Sequence, residues 1–174
     1  MGKIAVLGLG PSKELFNHVL NDFTNVIGVN DIWRFYKTDA IVCLDYPRVF
    51  TPDRIKVINE SKPEAFYSQM VIWDTRPDFK KINITPGYPD LICNIDGPEY
   101  QKSYCSPFVA CQVAFKVYGA SEIHLYGVDM KNHPHLDRDL CKSIKIHFSH
   151  LKKALELKDC KLIVHGSGIL TEDL

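Results

Sequence analysis

The chain has no surplus of charge: 21 Lys and Arg stand against 21 Asp and Glu among its 174 residues. Binding to a phosphate backbone draws on a basic excess, so nucleic acid is not expected as the main partner. Six cysteines, Cys43, Cys93, Cys105, Cys111, Cys141 and Cys160, include no C-x-x-C pair, which argues against a thiolate zinc site. Long apolar runs are also missing. The first run is short and ends in glycines, so neither a signal peptide nor a membrane span is expected. No internal repeat or low-complexity tract divides the chain. With 45% hydrophobic and 24% charged residues, the composition is globular. These absences together describe a soluble protein of a reducing cytoplasm.

What is present is alternation. Residues 3–8 read as a strand, and 12–22 as a helix with Leu15, Phe16, Val19 and Leu20 on one face. Strands follow at 25–30 and 40–45, and Thr51-Pro52-Asp53 opens a helix carrying Ile55, Val57 and Ile58. The stretch 63–104 is irregular and holds Pro63, Pro77, Pro86, Pro89 and Pro98. Short strands are expected there near 65–72, 81–84 and 91–95. A helix over 106–118 closed by Gly119, a strand at 122–128, a helix over 144–158 and a strand at 161–165 complete the pattern. Short apolar strands between helices predict a parallel sheet covered on both faces. The expectation is one Rossmann-like, doubly wound domain over residues 1–174, with the first strand near the centre and an insert at about 63–104.

In such sheets ligands bind beyond the carboxyl ends of the strands. Small and polar residues gather at those positions here: Gly8-Leu9-Gly10-Pro11-Ser12, Asn30-Asp31, Asp45, Cys105-Ser106, Asp129 and Gly166-Ser167-Gly168. Gly8 and Gly10 would let a backbone approach a phosphate, and Ser12 could cap the next helix or bond a phosphate oxygen. The dinucleotide fingerprint fails because its third glycine would fall on Lys13, and no G-K-[ST] of a P-loop follows. The turn is therefore either a phosphate cradle or a tight exit from a buried strand. Asn30 and Asp31 could hold a base, phosphate or ribose, or cap the turn after them. Asp45 and Asp129 could bind a sugar hydroxyl or a metal, or simply end their strands. His133, His135, His147 and His150 lack the H-E-x-x-H pattern, and no metal site is expected from them. His147 shares a helical face with Ile144, Phe148 and Leu151 and is a candidate general base; packing against the sheet is its alternative role.

The segments "GLGPSKEL", "IGVNDIW", "IVCLDYP", "YCSPFVACQVAFKVYGASEIHLYGVDM" and "HFSHLKKALELKDCKLIVHGSGIL" occur in a familiar order. They resemble the Rossmann-like domain of bacterial CMP-sialic-acid-dependent sialyltransferases. They resemble equally the related domain of motility-associated flagellin glycosyltransferases and of archaeal hydroxymethylpterin pyrophosphokinases. The resemblance implies a nucleotide at the strand ends, touched by Gly8, Gly10, Ser12, Asn30 and Ser106, with His147 as the base. This chain departs from the sialyltransferases at Leu9, where they carry Asn, and at Cys105-Ser106-Pro107, where they carry Thr-Ser-Gly; Pro107 removes an amide donor. Asp45 is placed more as in the other two groups.

Three functions follow as expectations. The first is a metal-independent glycosyltransferase with a nucleotide-activated, CMP-linked sugar donor and no required cofactor. The second is a Mg-dependent phosphotransferase of the pyrophosphokinase kind, with Asp45 and Asp129 at the metal. The third is a nucleotide-binding protein without chemistry.

Overall fold

The computed structural model describes residues 2–85, 95–101, 103, 105–130 and 137–171. Its sheet has seven strands in the order β5-β4-β3-β2-β1-β8-β9. These are β1 (Gly2–Leu7), β2 (Asn25–Val29), β3 (Ala40–Val42), β4 (Ala65–Ser68), β5 (Phe79–Lys81), β8 (Ala120–Tyr126) and β9 (Lys161–Val164). A separate pair joins β6 (Ile84–Thr85) to β7 (Tyr100–Gln101). Every neighbouring pair is parallel, so all strand exits of the large sheet share one rim. The expected doubly wound parallel fold is what the chain adopts.

Alternating side chains divide the core between the two faces, as the period of a strand requires. Ile4, Val6, Ile27, Val29, Ala40 and Val42 pack beneath the helices α2 (Ser106–Lys116) and α3 (Arg138–Glu156). Ala5, Leu7, Phe16, Ile32 and Tyr126 pack on the opposite face, and Ile41, Cys43, Phe66 and Trp73 continue it around Ile58 of α1 (Pro52–Glu60). Helix α2 contributes Phe108 to Ala114 as an unbroken buried run. It therefore lies across the sheet with almost no solvent side, which is why its sequence is apolar all round.

The structure differs most from the sequence expectations in four places. Residues 11–18 form a 3-10 helix, not an α-helix extending to Asp22. Its three-residue turn lines up Lys13, Phe16 and Val19, so Phe16 and Val19 meet the core while Leu15 and Leu20 stay exposed. Helix α3 begins at Arg138, six residues before the expected start at Ile144, because Asp137 caps it by accepting from Leu140 N at 2.8 Å. The expected strand at 65–72 stops at Ser68, and a 3-10 turn over Val71–Trp73 turns Trp73 inward. The expected strand at 81–84 splits between β5 and β6, which belong to different sheets. The strand expected at 91–95 falls on 91–94, outside the described residues, as do His133 and His135. Among the described residues, no helix is long and apolar enough to cross a membrane.

Candidate functional site

Strand β1 has β2 on one side and β8 on the other, so the strand order reverses there, the place where such sheets receive ligands beyond their carboxyl ends. The two exits are bound to each other. Gly8 N donates to Tyr126 O and Gly10 N to Gly127 O, both at 2.7 Å. A Cβ on Gly8 would run into the carbonyl of Gly127, and one on Gly127 into the carbonyl of Gly8. Gly127 also holds φ at 68°, a left-handed backbone that suits glycine. Ser12 N donates to Asp129 Oδ2 at 2.9 Å, and Ser12 Oγ accepts from Gly127 N at 2.9 Å. The exit of β9 closes over this group: Gly166 packs on Ser12, and Ile169 N donates to Asp129 O at 3.2 Å. Gly8, Gly10, Ser12 and Asp129 therefore stand together, fastened by main-chain groups of three strand exits.

The next exits along the rim are arranged differently. Asn30 ends β2 with a left-handed φ of 52° and donates its N–H to Val42 O at 3.1 Å. Its Oδ1 is shielded from solvent and meets no hydrogen-bond donor among the described residues. Asp31 is buried, and its Oδ1 accepts from Arg54 Nε at 2.8 Å and Nη2 at 2.6 Å. That ion pair fastens α1 to the β2 exit and occupies the carboxylate that sequence reasoning offered to a ribose. Asp45 lies three residues beyond the end of β3 and is exposed.

Helix α2 starts at the same rim, since its far end turns through Gly119 into the beginning of β8. Its positive end is thereby directed at the strand exits. Ser106 is its first residue and is 7% exposed, and Cys105 precedes it as a cap whose side chain makes no capping bond. His147 lies midway along α3 and is 6% exposed. Its Nδ1 is 2.9 Å from Ser103 Oγ, and its ring centre is 6.2 Å from that of Phe108. Burial pushes its pKa below the ordinary 6.5, and His150 adds to the shift. His147 thus packs in the core beside Phe108, near the start of α2. Burial raises the thiol of Cys105 to about 12 and of Cys43 to about 12, so both stay neutral.

Sequence reasoning missed Ser103, a single serine in an irregular stretch with no spacing signal. It also missed a second histidine group on the other side of the sheet. There His124 Nδ1 lies 2.9 Å from His165 Nε2, Glu122 Oε2 is 3.3 Å from His124 Nε2, and Tyr126 stacks on His165 at 4.2 Å. Among the described residues, no group of three or more His, Cys, Asp or Glu is placed to hold a metal ion.

The fold and this rim define a doubly wound α/β protein with its topological switch point between β1 and β8. No protein-family model and no curated protein matches the chain. Among solved structures it is similar to a point mutant of the alpha-2,3/8-sialyltransferase CstII, with a TM-score of 0.55 and 17% identity over 93% of this chain and 80% of that one. It is also similar to CstII from Campylobacter jejuni in complex with the substrate analogue CMP-3FNeuAc, with a TM-score of 0.53 and 16% identity over 94% of this chain and 80% of that one. The shared property is the fold.

Proposed function

We propose that this chain is a nucleotide-binding transferase, a metal-independent glycosyltransferase that takes its sugar from a CMP-linked donor. The observation that carries the reading is Asn30. A left-handed non-glycine residue with a buried, unanswered carbonyl oxygen stands at a strand exit, where a doubly wound sheet receives its ligand. Strain and an unmet acceptor are both costs that a ligand's donor group would offset. The fold shared with CstII, which was captured with a CMP-sugar analogue, supports CMP as the nucleotide.

In this reading the nucleotide phosphate faces Ser106 and the positive end of α2, which stabilise the charge that develops as CMP departs. His147 takes the proton from the acceptor hydroxyl as that oxygen attacks the anomeric carbon. The new bond is carbon to acceptor oxygen, the broken bond is carbon to phosphate oxygen, and the proton ends on the imidazole. Gly8, Gly10, Ser12 and Asp129 form the floor beneath the nucleotide, and Asp45 is an exposed contact at its edge. Asp129 already gives Oδ2 to Ser12 N, which favours this reading over a magnesium site built from Asp45 and Asp129. Burial of His147 favours a second reading, a nucleotide-binding protein without turnover.

The test is incubation with CMP- and UDP-linked sugars, following transfer and donor hydrolysis, beside thermal shifts with CMP, UDP, ATP and NAD with and without Mg²⁺. A CMP-specific shift independent of Mg²⁺ together with release of CMP from its sugar supports the proposal. A hundredfold excess over Kd raises stability by about 2.7 kcal/mol. A shift with CMP but no release selects the second reading. A shift only with ATP and Mg²⁺ overturns the glycosyltransferase reading and returns the magnesium-dependent phosphotransferase.

A further inference from the structure

We propose that Ser103 is a positioning residue that holds the His147 imidazole as its Nδ1–H tautomer, so that Nε2, shielded from solvent in the free protein, is the nitrogen left to take a proton. This rests on the reading of His147 as the base.

The geometry places Ser103 between two fixed points. Two residues upstream, Gln112 of α2 clamps the chain: Gln101 N donates to Gln112 Oε1 at 2.9 Å, and Gln112 Nε2 donates to Gln101 O at 2.8 Å. Gln112 is fully buried, so both bonds are sheltered from water. Two residues downstream, Cys105 caps α2. Gln101 and Cys105 thus bracket Ser103 in the chain. The histidine is equally fixed, because Ile144, Phe148 and Leu151 on its own face of α3 are fully buried. Ser103 is 3% exposed, and its Oγ lies 2.9 Å from Nδ1.

A neutral imidazole carries one proton, and the hydrogen bond at one nitrogen decides which. A base working at Nε2 needs its lone pair there, so Nδ1 must hold the proton and donate to Ser103 Oγ. A serine hydroxyl can accept that bond and pass its own hydrogen elsewhere. Alanine at 103 removes the acceptor and leaves the tautomer unspecified, while the imidazole stays packed between Phe108 and the core.

Long-range ¹H–¹⁵N correlation spectra of the full chain, recorded without ligand above neutral pH, read the tautomer directly. The expected wild-type pattern for His147 is Nδ1–H. Ser103→Ala should convert it to Nε2–H or a mixture, and Ser103→Thr should restore it. With CMP-sialic acid as the probe, Ser103→Ala should lower kcat for donor hydrolysis about 10- to 100-fold while KM stays unchanged. An Nε2–H pattern in the wild type overturns the proposal. So does an Ser103→Ala variant with unchanged tautomer and unchanged kcat. If the alanine variant does not fold, Ser103→Cys, similar in size but a weak hydrogen-bond partner, carries the same expectations and the same refutation. His147→Ala separates this inference from the one beneath it: full turnover in that variant removes the base, whereas the tautomer result stands or falls on its own.

Discussion

The rim of the sheet contains two regions built from similar residues for different ends. At the β1/β8 crossing, Ser12, Asp129 and the glycines around them spend their polar groups on one another. Ser12 alone bonds to both Asp129 and Gly127. At the β2 exit Asn30 keeps an unanswered acceptor, and the Ser103–His147 pair stands beside the start of α2, which has no side-chain cap. A serine, a carboxylate and glycines at a strand end can therefore be a fastener. Strain and an unspent polar atom are what distinguish a place prepared for a ligand.

The comparison is broken most directly at His147. His147→Ala should lower turnover about 10²- to 10⁴-fold with CMP affinity retained, measured as kcat beside a CMP titration; loss of stability without loss of turnover would return His147 to the core alone. On the fastener side, Gly8→Ala sets a methyl group against the Gly127 carbonyl. Urea unfolding should then show a loss of about 2–4 kcal/mol. Asp129→Ala leaves the buried Ser12 N–H without its acceptor and should cost about 1–3 kcal/mol, again by urea unfolding.

Asn30→Gly sharpens the contrast because its two effects have opposite signs. Relief of the left-handed backbone should raise stability by up to about 1 kcal/mol. Loss of the amide should weaken CMP binding roughly tenfold, by calorimetry, as expected for one hydrogen bond of about 1.4 kcal/mol. A variant both less stable and equally tight in binding would make Asn30 another fastener.

The smallest effect is that of acid. Burial lowers the pKa of His165 and of His147 below the ordinary 6.5, with a neighbouring histidine adding to each. Between their folded values and 6.5 the unfolded chain holds more protons, so stability rises with pH through that window. The contribution is complete above about 6.5 and disappears on acidification below it. His165→Gln should flatten part of this slope in denaturation midpoints measured across pH; an unchanged slope would remove the His124–His165 pair from the explanation.

The alternation of short apolar runs with helical patterns made the parallel sheet and its common rim legible. Each strand reads its burial from its own residues, and parallelism follows from the helices between them. The partnerships at the rim were not legible. Ser12 reaches Asp129 only because β1 lies beside β8, a fact of strand order that no local pattern contains. The 3-10 helix over 11–18 escaped for a related reason. Leu15 and Leu20 completed an α-helical stripe in the sequence, yet the turn after Gly10 follows a three-residue period and leaves both exposed. Ser103 matters only through a histidine on α3, so nothing near it in the chain could mark it.

The pairing of β1 with β8 also governs how the chain can be made. Ile4 lies beside Ile123, and Leu7 beside Tyr126. On a ribosome, the apolar strand Ile4-Ala5-Val6-Leu7 emerges before β8 and can pair with β2, but one of its edges stays open until Tyr126 has been synthesised. An open apolar edge is a template for wrong pairing, and closure across so long a stretch of chain is slow. Fragments that stop before Ala120 should therefore aggregate, and the nascent protein depends most on protection while α2 is being added.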